Sequence, residues 1–318
     1  MEHDYYPEKP ELIRHKPNTG MSRTVFSIVL FVAAFFFLIT DEWTFIVNLL
    51  IVLLIHELGH FSMMKLFGYQ HVRMLFIPLM GAFVQGTKDV YSQKHSLLVI
   101  VMGPFPGMLI GYALFYFSGV LKSEWLFDLS VLFMFINMLN LLPLDPLDGG
   151  QLFKLLVNKA EELFLLIFSF ISSLLLILIG FLLDDYFIMG FGFLMAFRVR
   201  GLQQHYQLRK RFREEQIKYT GVYEKLSNKD FHSIKAILIE EQPRLRDLNE
   251  VADDATVDQF MAREVDGVLK DEVVLDAGLF FKIFIVLFWL LLFFSPIFIY
   301  LFGGNWLNEH YGWYFENV

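Results

Sequence analysis

About seven stretches of this chain stay apolar for roughly the 20 residues that an α-helix needs to cross a hydrocarbon core. They cover about 24–40, 44–67, 95–121, 125–143, 163–183, 186–199 and 279–302, the sixth being short and interrupted by Gly190 and Gly192. Lipid offers backbone groups no water to pair with, so such stretches fold as helices that satisfy their own N–H and C=O groups. Composition agrees: of 318 residues, 56% are hydrophobic and only 19% charged, too apolar for an ordinary soluble domain. The expected fold class is an all-α polytopic membrane protein.

Charge distribution orients the spans. With the N-terminus inside, Lys122 is the only one of the 26 Lys and Arg that falls on the outer side, as the positive-inside rule requires. The first 23 residues lack the basic-then-apolar order of a cleavable signal peptide and are expected to stay as a tail. The organisation predicted is a cytoplasmic tail (1–23), a membrane-embedded core of about six spans (24–200) and a cytoplasmic helical module (201–278). A final span (279–303) and a Trp- and Tyr-containing outer tail (304–318) follow. A cell or inner membrane is the expected location. The net charge of −8 gives no reason to expect nucleic acid. The expected partners are the lipid bilayer and a membrane protein; the sequence leaves the oligomeric state open.

The module opens with a basic run, "QLRKRFR" (207–213), expected to lie beside anionic headgroups. Two capping boxes are predicted to start helices: Ser227 with Asp230, and Thr256 with Gln259.

One stretch breaks the apolar rule. "LLIHELGHFSMMK" (53–65) places His56, Glu57 and His60 inside the second span, where each ionisable group costs a few kcal/mol and needs a functional reason. Four residues apart on a helix, His56 and His60 lie one turn from each other on the same face. The pattern H-E-x-x-H on a helix reads as a zinc site in which the Glu is the general base. The chain has no cysteine, so any metal must take nitrogen and oxygen ligands. A catalytic zinc uses three protein ligands and keeps a further position open. A third ligand is offered at the inner end of the fourth span, "NMLNLLPLDPLDGGQLFKLL" (137–156), which contains two acids, Asp145 and Asp148.

Together, "HELGH" and "NLLPLDPLDGGQLF" resemble the paired signatures of the site-2 protease family of intramembrane zinc metalloproteases. The resemblance covers roughly 44–156. It implies one Zn²⁺ per chain, held by His56, His60 and Asp148, with Glu57 activating water. Asn140 occupies the motif asparagine and is implied to help hold substrate or the oxyanion. Asp145 stands where the family's linker is often apolar or proline. "RMLFIPLMGAFVQG" (73–86) is similar to the family's membrane-associated β region, which adds a small β element to the expected fold, and "MGPFPG" (102–107) resembles the Gly-Pro element of its third core helix.

The function so implied is intramembrane hydrolysis of a peptide bond in or near the transmembrane segment of a single-span substrate, that is, regulated intramembrane proteolysis. A strand edge near 71–77 is expected to pair with unwound substrate. The competing readings are a membrane zinc carrier or sensor and a non-catalytic scaffold. A carrier has no need of Glu57 as a base that is not a ligand.

Overall fold

The computed structural model describes residues 6–13, 21–38, 40, 42–77, 81–157, 161–242, 245, 254–303, 309–312 and 314. They are mostly helical, with small two-stranded sheets. Four helical stretches are long and apolar enough to cross a membrane: Trp43–Leu66, Gln93–Leu121, Glu162–Leu182 and Leu279–Phe302. This is the architecture of an integral membrane protein. Two further expected spans form shorter helices, α1 (Met21–Leu38) and α5 (Glu124–Asn140). The sixth does not end near 199: it is the first part of α8 (Tyr186–Glu214), which continues without a break into the basic run.

The chain forms two compact units. One comprises Met1–Pro17, Asp89–Tyr91 and Ala160–Val274; the other Asn18–Lys88, Ser92–Lys159 and Leu275–Val318.

In the second unit, α1 and α2 (Trp43–Leu66) precede a hairpin of β1 (Gln70–Ile77) and β2 (Gly81–Thr87). The turn out of α2 passes through Gly68 at φ 74°, a left-handed conformation that glycine adopts without a Cβ penalty. The third expected span is two helices, α3 (Gln93–Val101) and α4 (Pro104–Leu121). Pro104, which has no N–H to give a helix interior, starts the second of them. Then come α5, α6 (Asp148–Leu156) and the last helix, α11 (Leu279–Phe302). On α11, Ile285, Trp289 and Leu292 are buried at helical spacing while Phe280, Leu287, Leu291 and Phe298 are exposed, one face for the protein and the rest for lipid. The Trp289 indole donates to the Leu141 carbonyl at 2.8 Å, tying α11 to the end of α5.

The β1–β2 pairing is antiparallel, with Met74 opposite Val84 and Phe76 opposite Ala82. The outer edge of β1 is taken by α1: the Thr24 hydroxyl donates to the Met74 carbonyl (3.0 Å), and the Phe76 N–H donates to the Ser27 hydroxyl (3.2 Å). This corrects the expectation of a free strand edge at 71–77. Backbone groups alternate in direction along an antiparallel strand. With Met74 and Phe76 turned away from β2, their partners Val84 and Ala82 turn theirs away from β1. Among the described residues no strand pairs with that outer edge of β2.

In the first unit, α7 (Glu161–Leu182) and α8 pack as a helical hairpin, with small Ser169, Ser172 and Ser173 buried on α7, as suits close helix approach in a membrane. The module beyond α8 has its own core, including Phe212, Phe231, Ile234, Met261 and Val265 on α8, α9 (Asn228–Glu241) and α10 (Asp254–Val268). Ser227 caps α9 as predicted, accepting from the Asp230 N–H at 3.0 Å. Thr256 does not begin the other helix, because α10 already starts at Asp254.

The arginines of the basic run bond to groups of the same unit. Arg209 donates to the Val268 and Leu269 carbonyls and reaches Glu162, Arg211 pairs with Glu215, Glu240 and Glu241, and Arg213 bonds Glu162 and Tyr219.

Candidate active site

Helix α2 brings His56 and His60 to one face, and their Nε2 atoms stand 3.2 Å apart. The Asp148 Oδ2 lies 3.0 Å from the His56 Nε2 and 3.2 Å from the His60 Nε2. All three residues are buried. Donors bound at about 2.0–2.1 Å to a tetrahedral ion are separated by about 3.3–3.4 Å, so this triangle has the dimensions of three corners of such a site. Among the described residues this is the group able to hold a metal ion. Asp145 is buried as well but does not belong to it.

Asp148 reaches the histidines because the chain doubles back tightly after α5. It is the first residue of α6. The next position, Gly149, lies so close to the turn that a Cβ there would come within 2.2 Å of the Leu141 carbonyl oxygen.

The break between α3 and α4 serves the same centre. A Cβ on Gly103 would fall 2.2 Å from the His60 ring, so the Gly-Pro element makes room for an imidazole. From α3, the Val99 carbonyl accepts from the His60 Nδ1 at 2.8 Å, which leaves Nε2 as the lone-pair side.

His56 is oriented by a residue to which the sequence reading gave no role, Asn137. Its Oδ1 lies 2.9 Å from the His56 Nδ1, while its Nδ2 donates to the Phe133 carbonyl at 2.7 Å. The second bond fixes which way the amide points, so Oδ1 accepts from His56 and the Nε2 lone pair again faces Asp148. Asn137 is fully buried, and a Cβ on Gly107 would strike it at 2.2 Å. A polar residue on a buried helix face, three before the motif asparagine, was the available signal. Asn140 itself turns back to its own helix, its Nδ2 donating to the Ile136 carbonyl at 3.1 Å.

Glu57 projects beside the triangle and is 4% exposed. Its carboxylate faces the Val84 backbone N–H on the outer edge of β2. Its Oε2 is buried without a hydrogen-bond partner among the described residues. A buried carboxylate oxygen with no partner costs about 1–3 kcal/mol or more, a cost that suits a group whose partner arrives with the reaction. The donor set fits zinc: two neutral imidazoles and a carboxylate as ligands, and a second carboxylate held off as base.

Residues 44–129 match Peptidase family M50. Stage IV sporulation protein FB of Bacillus subtilis is 30% identical over 129 residues, which is 38% of this chain and 43% of that protein. A zinc metalloprotease of Methanocaldococcus jannaschii is 28% identical over 123 residues, 37% of this chain and 35% of that protein. The chain thus spans less than half the length of either relative. A solved structure, the site-2 protease from Methanocaldococcus jannaschii, superposes with a TM-score of 0.43 at 20% identity, over 57% of this chain and 87% of that one. The stretch that matches peptidase family M50, residues 44–129, carries both histidines, Glu57 and the break between α3 and α4.

Proposed function

We propose that this chain is an intramembrane zinc metalloprotease that hydrolyses a peptide bond in or near the transmembrane segment of a single-span membrane protein. One observation carries the reading. Two imidazole nitrogens from a helix apolar enough to cross a membrane and the carboxylate oxygen of Asp148 on α6 lie 3.0–3.2 Å apart, with a buried glutamate beside them.

In this reading His56, His60 and Asp148 hold the zinc, which when bound polarises a carbonyl and makes water a stronger acid. Asn137 and the Val99 carbonyl hold the imidazoles in the tautomer that presents Nε2. Glu57 takes a proton from the attacking water on its carboxylate and gives it to the leaving amine nitrogen. Asn140 is assigned a substrate-holding role on the resemblance alone. Helical peptide bonds are shielded by their own hydrogen bonds, so cleavage needs local unwinding and new backbone partners. The free edge of β2, at Ala82 and Val84, supplies them next to Glu57. His60 lies six residues from the end of α2, within reach of water at the membrane surface.

The proposal extends to topology. About seven spans, an N-terminus and module on the cytoplasmic side and residence in the cell membrane follow from the basic residues, all but Lys122 on one side. Regulated release of a cytoplasmic fragment is the matching physiological role.

The test is co-expression with candidate single-span substrates, alongside Glu57→Gln. The expected result is product from the native chain, none from the variant, and equal zinc in both. Unchanged product from the variant overturns the assignment.

A further inference from the structure

Residues 6–13, "YPEKPELI", lie extended on the module, and the contacts form a built site rather than a loose drape. Side chains of the module bond the backbone of the segment along most of its length. The His232 Nε2 donates to the Pro7 carbonyl at 3.1 Å, and the Lys9 N–H donates to the Asn228 side chain at 3.2 Å. The Tyr223 hydroxyl donates to the Pro10 carbonyl at 2.7 Å; burial foremost, with nearby carboxylates, pushes this phenol up to about 12, so it keeps its proton. Gln259 brackets the far end, its Nε2 donating to the Glu11 carbonyl (2.6 Å) and its Oε1 accepting from the Ile13 N–H (3.1 Å). This is the role Gln259 plays in place of the capping box expected from the sequence.

Two side chains of the segment are read as well. Lys9 has three N–H donors on its ammonium, and three carbonyls accept from them: Tyr223 (2.6 Å), Glu224 (3.1 Å) and Leu226 (2.5 Å). These carbonyls lie in and just after a single turn of 3₁₀ helix (Tyr223–Lys225), whose Tyr223 carbonyl also accepts from the Leu226 N–H at 3.1 Å. The same ammonium sits 5.0 Å from the Tyr223 ring centroid. Leu12 packs on the module's core.

We propose that the module is a docking site for an extended Lys-Pro peptide and that the chain's own residues 6–13 are its occupant. Backbone bonds supply affinity, while the Lys9 cage and the Leu12 contact supply selectivity. Occupancy of this site holds the N-terminal segment on the module. A competing peptide with a lysine followed by proline releases it.

The test measures hydrogen exchange in the full-length chain in lipid nanodiscs. The Lys9 and Ile13 amides, both bonded to module side chains, are expected to exchange at least tenfold more slowly than in a free peptide of residues 5–14. Lys9→Met and Gln259→Leu are expected to remove that protection while the α9 core stays protected. In a chain lacking residues 1–13, the free peptide added in trans binds, and its Lys9→Met form binds at least tenfold more weakly. Free-peptide exchange in the native chain, or unchanged protection in both point variants, overturns the proposal. Protection that falls on dilution overturns the assignment of the chain's own segment and gives the occupancy to a second copy. The point variants decide the matter even where the truncated chain does not fold.

Discussion

The two units use polar side chains for opposite ends. In the membrane unit, His56, His60, Asp148 and Asn137 converge on one small volume, and Glu57 Oε2 beside them has no hydrogen-bond partner among the described residues. In the module, Lys9, Tyr223 and Gln259 bond backbone groups of the docked segment or of the turn beneath it. An unmet donor or acceptor is expensive in a low-dielectric interior. A site that tolerates one is poised for a reaction, whereas a site that satisfies its groups is built to hold. The two regions should therefore fail differently under mutation.

The largest effect separates base from ligand. Glu57→Gln removes the proton acceptor and keeps the shape; product is expected to fall about 10²–10⁴-fold with zinc content unchanged by elemental analysis. Nearly as large is the loss from Asp148→Ala, which leaves two imidazoles alone: zinc should be lost on purification and product with it. Chelation of the native chain should do the same, reversed by added zinc. A variant that keeps both zinc and product would show that Asp148 is not a ligand.

Next comes the support of His56. Asn137→Leu removes the acceptor at its Nδ1, and zinc affinity is expected to drop about 10–100-fold in competition with a chelator. Asn137→Asp keeps an acceptor and should restore most of it. Asn140→Ala should change affinity less than about twofold, since its amide is turned to its own helix. Equal effects at the two asparagines would refute the distinction drawn between them.

The same contrast explains what could be read from the chain beforehand. His56, Glu57 and His60 stood out because charge is rare in an apolar helix, and H-E-x-x-H has a helical period, so local sequence carried the geometry. The Asp148 acid was legible as a residue type in a loop kinked by proline and glycine. Its choice over Asp145 rested on the resemblance and, in the structure, on distances. Asn137 was not singled out because its meaning depends on a partner 81 residues away. The free edge was placed on the wrong strand because Thr24 and Ser27, which cover β1, sit in what reads as an ordinary apolar span. The end of the sixth span was missed because composition changes from apolar to basic within one continuous helix. The docked tail left no periodic signal at all, since its bonds join side chains to backbone across more than 200 residues.

Smaller again is the effect of the strand edge. Val84→Pro deletes the N–H that faces Glu57 and leaves the β1 pairing at Arg73–Gln85 and Leu75–Phe83 in register. One lost hydrogen bond is worth about 0.5–1.5 kcal/mol, so product is expected to fall about 2–12-fold with zinc unaffected. Proline at Met74 tests the other side. That N–H points towards α1, whose Thr24 bonds the same residue's carbonyl, so its loss should alter packing of the hairpin without a specific defect in cleavage. Equal losses of product at both positions, with zinc retained, would put substrate on neither edge.

The smallest effect on chemistry is expected where the structural change is plainest. Lys9→Met empties a cage of three carbonyls that belong to the module. Zinc affinity should be unchanged. Cleavage of a substrate already engaged, measured as a single turnover, should stay within about twofold of the native chain, the range of a substitution remote from the reacting groups. What should move is exchange at Ile13, the next bonded amide along the segment. If single-turnover rate and zinc affinity fall together in Lys9→Met, the module is not a separate docking device but part of what holds the metal centre in shape, and the division between a reacting unit and a holding unit fails.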